Sequence, residues 1–290
     1  RIKGILAAIN LNKFRYMHCP IGVFDSGYGG LTILKDIVKE MPEYDYIYLG
    51  DNARTPYGTR SFDVVYKYTR EAVLKLFDMG CRLVILACNT ASAKALRTIQ
   101  QVDLPRIDAG RRVLGVIRPS VEAVADFTRN GHIGVLATSG TVASESYLLE
   151  IAKIHSGKGF EVTQQACPMW VPLVENNEID SPGAAFFVQQ YIDLLMQADP
   201  MIDTVVLACT HYPLLCGVID RFIPRGVKVI QQGEIVARSL KDYLYRHPEM
   251  EGMLSRGGQV EFLTTEKGGM FDKMAALFMQ ADVVSRHIEI

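Results

Sequence analysis

Two cysteines of this chain, Cys88 and Cys209, occupy matching places in the sequence. Each ends a short apolar run, VILAC at 84–88 and VVLAC at 205–209, and each is followed at once by small polar residues. A thiolate can accept a proton and a thiol can return one. If the two side chains face one carbon from opposite sides, one can remove its proton while the other delivers a proton to the opposite face. The pair therefore indicates inversion of a stereocentre without redox change.

A single cysteine at the end of an apolar strand is usually a small buried hydrophobic residue. Two in matched positions favour chemistry, and a helix starting after a cysteine would lower its pKa from about 8.5. Asp25 could orient Cys88 or accept its proton, and His211 could do the same for Cys209. Asp25 could equally cap a helix, and His211 could make a structural hydrogen bond.

Other polar residues follow the predicted strands directly. Ligands of parallel sheets bind beyond the carboxyl ends of the strands. Five polar clusters hold that position: Asp25-Ser26, Asp51-Asn52, Cys88-Asn89-Thr90, Thr138-Ser139 and Cys209-Thr210-His211. Hydroxyl and amide donors for a bound anion come from Ser26, Asn89, Thr90, Thr141 and Thr210, although capping or turn formation explains each equally well.

A glycine-rich loop, Gly27 to Gly30, opens a predicted helix and could present backbone N–H groups to a substrate carboxylate. A dinucleotide site is not supported, because Thr32 stands where the third glycine of that fingerprint belongs. The polar segment 51–58 could cover a substrate or simply connect two elements, and Glu175 could line the cleft or be solvated.

The elements that must position these residues alternate between strands and helices. Apolar runs predict seven strands: Ile21–Asp25, Tyr46–Gly50, Leu83–Cys88, Val113–Ile117, Ile133–Ala137, Thr204–Cys209 and Val227–Gln231. Helical spacing indicates helices over 31–41, 61–79 and 272–280. Near-continuous apolar strands are typical of sheets covered on both faces.

Internal similarity suggests that this α/β fold is duplicated. IGVFDSG at 21–27 matches IGVLATSG at 133–140, and the two cysteine-ending runs form a second matched pair. We therefore expect two pseudo-symmetric α/β domains with mostly parallel sheets and an active site in the cleft between them. The predicted domains are 20–112 plus 231–290, and 113–230. Residues 1–19 are predicted to be an extension or added sequence outside the fold.

Charge, hydropathy and cysteine spacing limit the kinds of binding partner that the chain is expected to have. The formal net charge of −1 gives no electrostatic reason to expect nucleic acid or a membrane surface, and no apolar run approaches the roughly 18 residues of a membrane span. The six cysteines include no C-x2-C pair, which favours free thiols over a zinc site or a disulfide framework.

Several longer motifs resemble bacterial glutamate racemase. They are GVFDSGYGGL (22–31), DNARTPYG (51–58), ACNTAS (87–92), ATSGT (137–141), VPLVE (171–175) and ACTHYPLL (208–215). The resemblance covers about residues 20–232 and implies interconversion of L- and D-glutamate, without metal or pyridoxal phosphate, to supply peptidoglycan synthesis. It implies a cytoplasmic enzyme, commonly a homodimer, whose C-terminal segment returns to the first domain.

The resemblance also implies residue roles. Cys88 would act on the D-isomer with help from Asp25, and Cys209 on the L-isomer with help from Glu175 and His211. The implied substrate-binding residues are Ser26, Pro56, Tyr57, Gly58, Asn89, Thr90, Thr138, Thr141 and Thr210. One departure is visible at Gln231-Gln232-Gly233, where many family members have a small residue or proline.

Three other interpretations remain open. A related racemase could act on aspartate or another acidic amino acid. A two-domain protein could hold an anion in its cleft without catalysis. A thiol redox protein could join Cys88 to Cys209, although no C-x-x-C motif supports this.

Overall fold

Two parallel β-sheets organise residues 19–290, the part of the chain that the computed structural model describes. The first sheet has the strand order β10-β9-β2-β1-β3-β4 and the second has β6-β5-β7-β8. The strands are β1 (Ile21–Asp25), β2 (Tyr46–Gly50), β3 (Leu83–Leu86), β4 (Arg112–Gly115), β5 (His132–Ala137), β6 (Glu161–Ala166), β7 (Thr204–Ala208), β8 (Lys228–Ile230), β9 (Val260–Thr264) and β10 (Ser285–His287).

Helices cover the sheets and connect the strands. They are α1 (Leu31–Glu40), α2 (Phe62–Asp78), α3 (Asn89–Lys94), α4 (Leu96–Thr98), α5 (Leu104–Ile107), α6 (Ile117–Val124), α7 (Ser139–Ala143), α8 (Ser146–Ile154), α9 (Trp170–Glu175), α10 (Pro182–Ala198), α11 (Cys216–Phe222), α12 (Gly233–Arg246), α13 (Pro248–Glu251) and α14 (Met270–Met279). Short 3-10 turns lie at Asn52–Arg54 and Tyr212–Leu215, and a π-helical turn at Ile99–Asp103.

Local sequence explains the best-predicted helices. The Ser61 side chain caps α2 by accepting a hydrogen bond from the Val64 N–H. Gly80, at φ 101°, adopts the left-handed conformation that follows many helix ends. Helix α1 ends just before Pro42, as the helical spacing predicts.

The predicted duplication is confirmed by strand order and register. The order β2-β1-β3-β4 in the first sheet is repeated as β6-β5-β7-β8 in the second. Gly22 of β1 lies opposite Val84 of β3, and Gly134 of β5 lies opposite Val205 of β7. These are the residues that the sequence similarity matches, so both cysteine-bearing strands occupy equivalent places in their sheets.

Three strands are absent from the sequence-based prediction. Edge strand β6 has the sequence EVTQQA and carries no apolar run. Strands β9 and β10 extend the first sheet beyond β2, so the C-terminal segment returns to the first sheet as the resemblance implies.

Two contacts lie at the predicted domain boundaries, which stay predictions. Strand β4 pairs with β3 in the first sheet, so that sheet extends past the predicted division between 112 and 113. Cys19, assigned to the extension, is buried and its carbonyl accepts a hydrogen bond from the Ser255 N–H. Residues 1–18 lie outside the described residues. In the part that is described, no helix is both long and apolar enough to cross a membrane.

The matched glycines predict a stability test. A Cβ on Gly134 would lie 2.8 Å from Leu195 Cδ2, a buried atom, whereas a Cβ on Gly217 in α11 would meet nothing within 4 Å. We expect Gly134→Ala to lower the free energy of unfolding by about 1–3 kcal/mol, because the core must shift to admit the methyl group. The control Gly217→Ala should leave it unchanged or raise it by up to about 1 kcal/mol. Urea denaturation measures both, and equal effects would contradict the close packing.

Candidate active site

A pocket of about 320 Å³ lies between the two halves, where the carboxyl ends of strands from both sheets meet. The first half of the chain lines the pocket with Ser26, which follows β1, and Cys88, which follows β3. The second half lines it with Thr138, which follows β5, and Cys209, which follows β7. The lining residues are Ser26, Thr55, Pro56, Tyr57, Gly58, Thr59, Cys88, Asn89, Thr90, Thr138, Ser139, Cys167, Pro168, Val171, Pro172, Glu175, Asn176, Cys209, Thr210 and His211.

The pocket brings together every predicted site residue except Asp25 and Thr141. Both of these are buried just behind its wall. Asp25 accepts a hydrogen bond from the Gly30 N–H at 2.9 Å. The Thr141 hydroxyl lies 3.3 Å from that of Thr90 and 3.1 Å from that of Thr138. Thr141 therefore supports two hydroxyls that reach the pocket.

Cys88 stands at the N-terminus of α3, as the sequence predicts. Its sulfur lies 3.4 Å from the Ala91 backbone nitrogen, which donates to it, and 3.4 Å from Ser26 Oγ. Burial nevertheless raises the pKa of the thiol to about 12, and the charge of Asp25 adds to this effect. The Ala91 N–H at the helix start does lower the pKa, as the sequence predicts, but burial outweighs this effect, so Cys88 is a thiol at neutral pH.

Asp25 makes no direct hydrogen bond with Cys88. The side chain that forms a hydrogen bond with the sulfur is that of Ser26. Burial raises the pKa of Asp25, and its Oδ2 atom is buried with no hydrogen-bond partner. An unsatisfied carboxylate oxygen beside a thiol is an available proton acceptor, provided that a small movement brings the two groups together.

Cys209 has a different partner. His211 Nδ1 lies 3.9 Å from the Cys209 sulfur, and His211 Nε2 lies 3.0 Å from Glu175 Oε1. Burial by itself would lower the pKa of His211, but the hydrogen bonds with Cys209 and Glu175 outweigh it and raise the pKa to about 10. The imidazole is therefore protonated at neutral pH, and it can exchange a proton with Cys209 while Glu175 holds the ring.

The loop at 51–58 is anchored by a buried carboxylate. Asp51 Oδ2 accepts hydrogen bonds from the Tyr57 hydroxyl and from Arg54 Nε, and Asp51 Oδ1 accepts one from Thr265. The peptide bond between Thr55 and Pro56 is cis. Because the Tyr57 hydroxyl is used by Asp51, Tyr57 contributes shape rather than a free hydroxyl to the pocket.

Backbone and side-chain contacts close the pocket across the cleft. The Gly140 N–H donates to the Gly58 carbonyl at 2.8 Å, and the Thr90 and Thr138 hydroxyls lie 3.0 Å apart. On the opposite side, the Thr32 hydroxyl lies 3.1 Å from the Thr210 carbonyl. These contacts join the two halves at the pocket, so any relative movement of the halves must break them.

Some pocket residues were not predicted. Cys167 and Pro168 follow β6 and line the pocket, and they were not predicted because that strand was not predicted. Others lie inside motifs already noted and could have been found there: Thr55, Val171 and Pro172. Ser139 belongs to the Thr138-Ser139 cluster named above, and Thr59 and Asn176 each adjoin a predicted residue. All six cysteines are free thiols, and the described residues include no cluster of three His, Cys, Asp or Glu that could hold a metal ion.

The coupling of His211 to Glu175 predicts a pH effect. Since the folded state raises the pKa of His211, its stabilising contribution is fully present below about pH 6.5, the ordinary pKa, and is lost as the pH rises through about 10. Removing the negative partner with Glu175→Gln should lower the pKa of His211. Imidazole nitrogen NMR measures this directly, with exposed Glu178→Gln as the control. An unchanged titration in Glu175→Gln would contradict the assignment.

Sequence comparisons identify relatives along nearly the whole chain. Residues 21–240 match the family model described as Asp/Glu/Hydantoin racemase. A glutamate racemase of Ruegeria sp. (strain TM1040) is 39% identical over 273 residues, covering 91% of this chain and 97% of that protein. One from Geobacter metallireducens is 41% identical over 249 residues, covering 86% and 84% respectively.

Solved structures of glutamate racemases superpose on this chain. A glutamate racemase isoform from Bacillus anthracis superposes with a TM-score of 0.85 at 32% identity, covering 94% of this chain and 98% of that one. The Francisella tularensis glutamate racemase in complex with D-glutamate gives 0.81 at 30% identity, covering 94% and 97%. An aspartate racemase of Picrophilus torridus, at 15% identity and a TM-score of 0.51, shares the fold alone. The chain therefore belongs to the Asp/Glu/hydantoin racemase family and, within it, to the glutamate racemases.

Proposed function

We propose that this protein interconverts L- and D-glutamate by two-base proton transfer, with Cys88 and Cys209 as the acid and the base. The observation that carries the proposal is the placement of the two thiols. They follow equivalent strands of the two repeated halves, line one small pocket, and are each 6% exposed. A planar carbanion held between them could accept a proton on either face.

The proposed steps balance without redox change. With L-glutamate bound, the Cys209 thiolate removes the α-proton, so that the C–H bond breaks and an S–H bond forms. The Cys88 thiol gives its proton to the opposite face of the carbanion, which yields D-glutamate. For D-glutamate the two cysteines exchange roles. One C–H bond is broken and one is formed in each direction.

The protonation states around the cysteines support this assignment. The raised pKa of Cys88 keeps it a thiol, ready to donate. Protonated His211 lies beside Cys209 and can exchange a proton with that sulfur. Asp25, behind Cys88, would take the Cys88 proton when the D-isomer binds.

The polar lining fits an amino acid carrying two carboxylates. Hydroxyl groups of Ser26, Thr90, Thr138 and Thr210 surround the pocket. Neither lysine nor arginine appears among the described residues that line it, and His211 supplies the positive charge. Neutral donors arranged in a closed site stabilise an anion, including the negative charge that develops on the α-carboxylate during proton removal.

The remaining implications of the family resemblance stay predictions. These are supply of D-glutamate for peptidoglycan, a cytoplasmic location, a homodimer, and activity without any added cofactor.

Turnover of the purified protein tests the substrate. Incubated with L-glutamate and no added cofactor, it should drive the optical rotation to zero, because equal amounts of the two isomers form at equilibrium. L-Aspartate should lose its rotation far more slowly. Faster loss with aspartate would assign the protein to another acidic amino acid. No loss with either would favour a cleft that binds an anion without catalysis.

Substitution of each thiol tests the mechanism. Cys88→Ser and Cys209→Ser should each lower kcat/KM by about 10²–10⁴-fold, because a hydroxyl is a far weaker acid and base at neutral pH. Cys216→Ser, at a half-buried thiol outside the pocket, should retain full activity. Full racemase activity in either pocket variant would contradict the two-cysteine mechanism. Circular dichroism would check that all three variants fold.

A further inference from the structure

Gln232 is a buried polar side chain that the mechanism above does not use. It is 2% exposed, immediately precedes α12, and does not line the pocket. It lies in the Gln231-Gln232-Gly233 segment that follows β8. Burying a primary amide is costly unless its oxygen and both N–H groups are satisfied, so its partners identify what it holds.

Those partners form a closed ring of hydrogen bonds. Gln232 Oε1 accepts from Asn89 Nδ2 at 2.6 Å, and Gln232 Nε2 donates to the Tyr147 hydroxyl at 2.9 Å. The Tyr147 hydroxyl donates in turn to Asn89 Oδ1 at 2.8 Å, which closes the ring. The second Nε2 hydrogen reaches Ser120 Oγ at 2.7 Å, and that hydroxyl donates to the Val116 carbonyl. Because each amide donates through its nitrogen and accepts through its oxygen, the ring fixes the orientation of both amides.

The ring engages both polar atoms of the Asn89 side chain. Asn89 was predicted to bind substrate through its amide, yet its oxygen is occupied by Tyr147 and its nitrogen by Gln232. Asn89 is also the first residue of α3 and follows Cys88 directly. The same first turn supplies the Ala91 N–H that donates to the Cys88 sulfur. What holds Asn89 therefore holds the turn that presents Cys88.

The ring also joins the two halves. Asn89 follows a strand of the first sheet, whereas Tyr147 lies on α8, between two strands of the second. Gln232 stands where the chain leaves β8 of the second sheet and enters α12, which packs against α1. A shift of one half relative to the other must strain or break the ring.

We propose that Gln232 is a positioning residue that fixes Asn89, and through it the α3 turn carrying Cys88, against the second half of the enzyme. The proposal rests on the proposed racemase function for its effect on turnover. A small residue or proline at position 232 could not form these hydrogen bonds with the Asn89 amide.

Gln232→Leu removes all polar contacts at similar volume and is the main test. We expect kcat to fall by about tenfold to a hundredfold, because small displacements of a reacting group are this costly, with a much smaller change in KM. Tyr147→Phe, which removes a single hydroxyl from the ring, should act in the same direction but more weakly. It keeps the test informative if Gln232→Leu fails to fold. The neighbouring exposed Gln231→Leu is the matched control and should behave as wild type.

Alkylation of the two pocket thiols distinguishes a local effect of Gln232 on Cys88 from a general destabilisation of the pocket. Cys88 and Cys209 are equally exposed, so each calibrates the other. In Gln232→Leu, iodoacetamide should modify Cys88 about tenfold faster than in wild type, because the α3 turn opens more often, while the rate at Cys209 stays the same. Mass spectrometry of the two peptides measures both rates without any enzymatic assay.

In the alkylation experiment, equal acceleration at both thiols or an unchanged rate at Cys88 would overturn the proposal. In the kinetic experiment, an unchanged kcat in a folded Gln232→Leu variant would overturn it if the wild-type enzyme is active. Failure of the proposed function is distinguishable, because the wild-type protein itself would then leave glutamate unchanged. The alkylation comparison would still report whether Gln232 holds Cys88.

Discussion

A proton can leave one face of a carbon and another can arrive on the opposite face only if two groups approach that carbon from opposite sides. Under the proposed two-base mechanism, this requirement accounts for the architecture. Duplication of one α/β unit places two strands of the same register in two sheets, and each strand leads into a cysteine. Because ligands of parallel sheets lie beyond the carboxyl ends of the strands, two such sheets facing each other enclose one pocket with a thiol on each side.

The two thiols are alike in place but differ in surroundings. Cys88 contacts Ser26 and the start of a helix, with the buried carboxylate of Asp25 behind it, whereas Cys209 adjoins an imidazole held by Glu175. Burial acts at both sites: it opposes ionisation of Cys88, whereas at His211 it is outweighed by the hydrogen bonds with Cys209 and Glu175. In the proposed mechanism the two thiols therefore exchange protons with different neighbours, Asp25 behind Cys88 and His211 beside Cys209.

Much of this could be predicted from the sequence, since apolar strands ending in polar residues locate a site in a parallel sheet. The exact bounds of β1 and β2 follow from their apolar runs. Strand β6 could not be found this way, because an edge strand need not be apolar, and Cys167 was lost with it. The partners of Asn89 and Tyr57 were also beyond prediction. They depend on Gln232 and Asp51, and the contact between Asn89 and Gln232 joins residues far apart in the chain.

Isotope content of both isomers early in the reaction tests the central claim most directly. L-Glutamate would be incubated in D2O, and the remaining L-glutamate and the newly formed D-glutamate would be separated and analysed by mass spectrometry. Two opposed thiols predict that the D-glutamate carries deuterium at the α-carbon while the remaining L-glutamate keeps its original hydrogen. D-Glutamate that retained the substrate's own hydrogen would contradict the account, because a single group would then serve both faces.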